Sequence, residues 1–124
     1  MSKTVLVIDD AEAIRKSVGF TLQEEGFDII EAVDGVDALK KLKKNEVALI
    51  LCDVNMPKMD GIEFLRKLKN DDEYSQFRFT PILMLTTEAG KDKKEEGKKL
   101  GAKAWIVKPF KPDQLIKAVQ TLVS

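Results

Sequence analysis

The stretch VLVIDDAEAIRK, residues 5–16, runs four apolar residues into two adjacent carboxylates, Asp9 and Asp10, with no opposite charge before Arg15. It reads as a buried strand that stops at the acidic pair and hands over to an amphipathic helix. An Asp ahead of a helix accepts bonds from its first amide N–H groups and suits the positive end of its dipole. That accounts for one carboxylate, Asp10. A second gains little from the same cap and adds repulsion, so Asp9 calls for another explanation.

Outward from this stretch, the same alternation recurs. TVLVI (4–8), DIIEAV (28–33), ALILC (48–52), PILML (81–85) and AWIV (104–107) are rich in Val, Ile and Leu and nearly unbroken, as strands covered on both faces are. Between them apolar residues recur every three or four positions: Ile14, Val18 and Leu22; Val36, Leu39 and Leu42; Ile62, Leu65 and Leu68; then Leu115, Ile116, Val119 and Leu122. Lys91 to Leu100 is highly charged and only weakly amphipathic, and reads as a solvated helix. Strict strand-then-helix alternation predicts an α/β fold, a doubly wound parallel sheet with helices on both faces.

The 124 residues suit one domain spanning 1–124, with no linker, repeat or low-complexity segment. Lys+Arg and Asp+Glu balance at 21 each, so the chain carries no overall basic footprint for nucleic acid or anionic membrane. The single cysteine, Cys52, excludes an internal disulfide and reads as a small buried hydrophobe. With no signal peptide and no apolar run near 20 residues, the expected location is the cytoplasm.

In open parallel sheets, sites form outside the carboxyl ends of the strands, where strand order reverses. Strand one ends in Asp9 and Asp10, strand three in Asp53, strand four in Thr86 and strand five in Lys108. If strands one and three are neighbours, three carboxylates converge. Their repulsion would raise at least one pKa, and a hard divalent cation relieves it. Carboxylates, a carbonyl and waters suit Mg²⁺, whereas a chain without histidine and with one cysteine does not suit zinc. Such a pocket with Lys108 and Thr86 points to phosphoryl chemistry: a cation and a hydroxyl to hold phosphoryl oxygens, and a carboxylate nucleophile. Asp53 stands alone at the end of the central strand and is the candidate nucleophile.

VLVIDD (5–10), LCDVNMPKMDG (51–61), ILMLTTE (82–88) and VKPF (107–110) resemble, in order and spacing, the receiver domain of two-component response regulators. The resemblance covers essentially the whole chain. It implies the CheY-like, flavodoxin-like (βα)5 fold with strand order 2-1-3-4-5. It also implies Asp9 and Asp10 as the acidic metal pair for Mg²⁺, Asp53 as phosphoacceptor and metal ligand, and Asn55 as donor of a main-chain carbonyl to the metal. Thr86 would be the switch hydroxyl, Trp105 the switch aromatic, Lys108 the phosphate-pairing lysine, and Lys108–Pro109 a cis bond. Asn55 and Glu88 match the CheY pattern of rate-tuning positions. Thr87 stands where a smaller residue is usual, and NDDEYSQFRFT (70–80) looks longer than in enteric CheY proteins.

Among receivers the chain is similar to CheY-like chemotaxis proteins. That implies a monomer that takes a phosphoryl group from a CheA-like histidine kinase and signals by docking to a flagellar motor switch protein, with a phosphatase as a further partner. A phosphorelay intermediate or phosphate sink is the alternative use of the same chemistry, and the charged helix from Lys91 is either a solvated face or part of the output surface. An aspartyl-phosphate phosphatase would show D-x-D-T on strand one, and a flavodoxin a Ser/Thr/Gly-rich phosphate loop. DDAEA has neither.

Overall fold

The computed structural model describes residues 3–86 and 91–123, without the side chains of 91–93. Five strands, β1 Thr4–Ile8, β2 Asp28–Ala32, β3 Leu49–Asp53, β4 Ile82–Thr86 and β5 Ala104–Val107, alternate with five helices, α1 Glu12–Glu24, α2 Gly35–Leu42, α3 Gly61–Asn70, α4 Lys91–Lys99 and α5 Pro112–Val123. All strand pairs are parallel, in the order β2-β1-β3-β4-β5. The chain runs from β1 to the edge at β2, then crosses β1 to β3. The reversal of winding therefore falls between β1 and β3, beside both acidic strand ends.

The sheet separates two apolar cores. Val5, Val7, Leu49, Leu51, Leu83 and Leu85 face Val18 and Leu22 of α1 and Leu115 and Val119 of α5. Leu6, Ile8, Ile50, Cys52, Ile82 and Met84 face Leu39 and Leu42 of α2 and Ile62, Phe64, Leu65 and Leu68 of α3. Period-two alternation splits each strand between the cores, and both halves are apolar because both faces are covered. Among the described residues, no helix is long and apolar enough to cross a membrane.

Helix starts are set by local chemistry. Asp34 accepts the Asp37 N–H at 2.8 Å, and Asp60 and Glu63 form a reciprocal capping box at the head of α3. The first helix departs from expectation. Its N-cap position is Ala11 and no side chain caps it, so Asp10 is not the cap; Asp9 instead turns its Oδ1 back to the Ala11 N–H at 2.9 Å. Val36 is exposed rather than inward, because α2 lays Gly35, Ala38, Leu39 and Leu42 against the sheet and Gly35 against Met59.

The stretch before β4 forms a 3₁₀ segment, Asp72–Phe77, that strand-and-helix periodicity does not reveal. Tyr74 and Phe77 anchor it in the core beneath α3 while Phe79 stands in solvent. Lys43 lies 5.9 Å from the Tyr74 ring centroid, over its face, and pairs with Glu73 at 2.5 Å.

Candidate functional site

The carboxyl edge of the sheet collects the polar strand ends. Asp53 is the last residue of β3, Thr86 the last of β4, and Asp9 follows β1 directly; all three are buried. Asp10, next along, is exposed at the rim. Asp9, Asp10 and Asp53 each place a carboxylate oxygen within 4.8 Å of the others. The strand pairing makes this possible: β1 and β3 lie side by side, with Ile8 opposite Cys52.

Lys108 reaches into this group from the same carboxyl edge, at the end of β5, two strands from β3. Its Nζ donates to Asp9 Oδ2 at 2.8 Å and lies 3.2 Å from Asp53 Oδ1. Its backbone is fixed by an N–H bond to the Thr86 carbonyl at 2.6 Å and by the cis Lys108–Pro109 peptide that the resemblance implies. Burial lowers the lysine's pKa, but the Asp9 hydrogen bond and the Asp53 charge outweigh it, so the ammonium titrates above its ordinary range. Burial, then the Asp9 charge, pushes the Asp53 carboxyl above its ordinary value despite the Lys108 cation. Three carboxylates around one ammonium leave surplus negative charge at the rim.

The donor set fits a hard divalent cation. Bonds of about 2.1 Å place neighbouring oxygens of an Mg²⁺ octahedron about 3 Å apart and opposite ones about 4 Å apart. The observed spread therefore needs only side-chain adjustment, and the donors are all oxygen.

The loop after Asp53 shapes the other wall. Asn55 is exposed two residues beyond the phosphoacceptor candidate. Lys58 adopts a positive φ of 66°, and the next N–H, of Met59, closes back on the Pro57 carbonyl at 2.7 Å. Gly61 then starts α3 so close to β3 that a Cβ there would lie 2.3 Å from the Asp53 carbonyl oxygen. Glycine lets the helix sit directly behind the acidic strand end.

Thr86 and Trp105 share a face. Trp105 pairs with Met84 in the β4–β5 register, Thr86 follows two residues on, and all three point to the α3 side. The half-buried indole packs on Gly97 of α4, where a Cβ would meet its ring at 2.6 Å, and alongside Ile62. Thr87 and Glu88 lie outside the described residues. Cys52 is fully buried, its thiol donates to the Asp53 carbonyl at 3.3 Å, and burial holds its pKa well above the ordinary range, as an inert core residue.

Sequence reasoning passed over two residues beside the site. Arg15 donates from Nη1 to the Asp9 carbonyl at 2.8 Å and from Nε to Glu31 Oε1 at 3.1 Å, while Lys16 holds the other Glu31 oxygen at 2.8 Å. The one available signal was Arg15 as the first cation after the acidic pair. Nothing local marks Glu31, which arrives through β2 pairing.

The response regulator receiver domain profile matches residues 5–120. PilG of Pseudomonas aeruginosa is 35% identical over 119 residues, covering 96% of this chain and 86% of PilG. SrrA of Staphylococcus aureus, a transcriptional regulatory protein, is 38% identical over 99% of this chain, which spans only 48% of SrrA's length. Among solved structures, the chemotaxis protein CheY4 of Vibrio cholerae superposes with a TM-score of 0.90 at 46% identity, covering 98% of this chain and 99% of that one. With the strand order and the acidic edge described above, these matches show that the chain belongs to the response regulator receiver domain family of two-component systems.

Proposed function

We propose that this chain accepts a phosphoryl group from a histidine kinase onto Asp53 and signals by docking to a partner, in the manner of a chemotaxis response regulator. The carrying observation is the buried Asp53 carboxylate at the switch point, grouped with Asp9 and Asp10 and touched by Lys108. Asp53 attacks phosphorus in line, the P–N bond to the kinase histidine breaks, and an acyl phosphate forms. Asp9, Asp10, Asp53 and the Asn55 main-chain carbonyl would hold Mg²⁺, which when bound would supply neutralisation of charge on the phosphoryl oxygens.

Lys108, already within reach of Asp53, shifts from a carboxylate to a phosphoryl oxygen. The Thr86 hydroxyl donates to another, and the space so vacated on the β4–β5 face is open to Trp105. Asn55, Thr87 and Glu88 control water access to the acyl phosphate, and so its lifetime. CheY4, a chemotaxis protein similar along nearly its full length, supports a chemotaxis setting; a CheA-like kinase, a motor switch protein and a phosphatase are the partners proposed in it. A receiver attached to a transcriptional output is the second reading, supported by SrrA.

Acetyl phosphate with Mg²⁺ tests the core of this reading. Intact-mass spectrometry is expected to show one added phosphoryl group on the wild type and none on Asp53→Asn. Full phosphorylation of Asp53→Asn would overturn the assignment. Phosphotransfer from a CheA-type kinase, set against a kinase that serves a transcriptional regulator, tests the setting.

A further inference from the structure

Asp9 is aimed by its backbone as well as held by its side chain. It follows the last residue of β1, and its N–H continues the sheet by donating to the Ala32 carbonyl at 3.1 Å. Its carbonyl faces the incoming helix, where the Ala11 N-cap position offers no side-chain cap. The Arg15 guanidinium takes that carbonyl at 2.8 Å and Glu31 of β2 at 3.1 Å, with the arginine side chain only 12% exposed. A planar, permanently charged fork bridges two acceptors fixed in different elements. One ammonium cannot hold both in the same geometry.

We infer that Arg15 is a positioning residue of the acidic site: its guanidinium fixes the turn between β1 and α1 that directs Asp9 and Asp10 at Asp53, and Glu31 on the edge strand braces the guanidinium. This rests on reading the three carboxylates as divalent-cation ligands. Arg15 then acts on the site through main-chain geometry against its own electrostatics, since a cation beside the site repels the metal. The two effects have opposite signs. Removing only a charge tightens metal binding; removing a brace weakens it. Partners that orient metal ligands typically carry about tenfold or more of the affinity.

The experiment is a Mn²⁺ titration of the full chain, reading free hexaaquo Mn²⁺ by electron paramagnetic resonance, because Mn²⁺ takes the same oxygen donors. Arg15→Ala is expected to weaken binding about tenfold relative to wild type. Arg15→Lys, which keeps the charge and helix propensity, is expected to bind more weakly than wild type as well. It decides the matter should Arg15→Ala not fold. Equal or tighter binding by Arg15→Ala, or wild-type affinity in Arg15→Lys, overturns the inference. Absence of Mn²⁺ binding by the wild type overturns it together with the metal reading, a result distinct from intact wild-type binding with unaffected variants.

Discussion

Substituting Gly61 by Ala pushes directly on the phosphoacceptor strand. The added Cβ would lie 2.3 Å from the Asp53 carbonyl oxygen, and 2.9 Å from both the Val54 Cα and the Met84 Cε. The methionine end can swing away; the two backbone atoms cannot. Ordinary carbon–oxygen contacts begin about 1 Å farther out, so α3 must retreat by roughly that amount. Retreat stretches the Gly61 N–H bond to the Val54 carbonyl, now 2.8 Å, and opposes the Asp60–Glu63 capping box. Overpacking costs about 1–3 kcal/mol and a weakened cap about 1 more, against up to about 1 kcal/mol returned by alanine's helix propensity. The net loss is about 1–3 kcal/mol. For 124 residues an unfolding entropy near 260 cal/mol/K turns that into a Tm drop of about 4–12 °C. Differential scanning calorimetry without metal measures it, and acetyl phosphate labelling of the folded variant is expected to be slower because Asp53's carbonyl and the following loop have moved. A Tm within about 2 °C of wild type, or above it, would refute the argument, since about 1 kcal/mol moves Tm by roughly 4 °C at this length.

The pocket also sets a pH dependence in the chelated protein. Asp53 titrates above its ordinary value, by burial and then the Asp9 charge, so the stability it contributes is full below the unfolded pKa of about 3.9 and is lost as pH rises through the folded one. Lys108, also raised, loses its contribution only above about pH 10.4, outside that window. Urea unfolding with EDTA, followed from about pH 3.9 to neutrality, is therefore expected to show Asp53→Asn gaining on the wild type as pH rises. A constant or shrinking difference contradicts this. The sole tryptophan reports the switch: Trp105 packs on Gly97 and shares a face with Thr86, so beryllofluoride, standing in for the phosphoryl group, should change its emission at saturating Mg²⁺ in wild type but not in Asp53→Asn. Unchanged emission would make the ring a passive packing residue.

Much of this molecule is legible locally. Unbroken apolar runs and three-to-four spacing mark the strands and most helices, because burial selects side chains by backbone period. Asp9, Asp10, Asp53, Thr86 and Lys108 stand out because each follows or ends such a run. The charged α4 was readable as a helix but not by its apolar stripe. Tyr74 and Phe77 offer a single spacing of three, since a 3₁₀ segment of six residues is too brief to repeat it.

The alternation of β and α and the kind of chemistry placed at the strand ends can be read from the chain alone, since both depend on neighbours a few residues away. Order in the sheet is a different matter: five similar apolar strands carry no local mark of which lies beside which, and the flavodoxin-like order rests on the β1–β3 pairing. Lys108, 99 residues from Asp9, lies between two carboxylates because packing of the whole chain brings it there. Tertiary packing likewise turns Asp9 to Ala11, leaves Asp10 facing solvent, and brings Arg15 to the Asp9 carbonyl across the β1–α1 turn and to Glu31 on β2. The Lys108–Asp9 and Arg15–Glu31 contacts join elements distant in sequence, and their distances follow from strand pairing and helix packing, which no single stretch of the chain encodes.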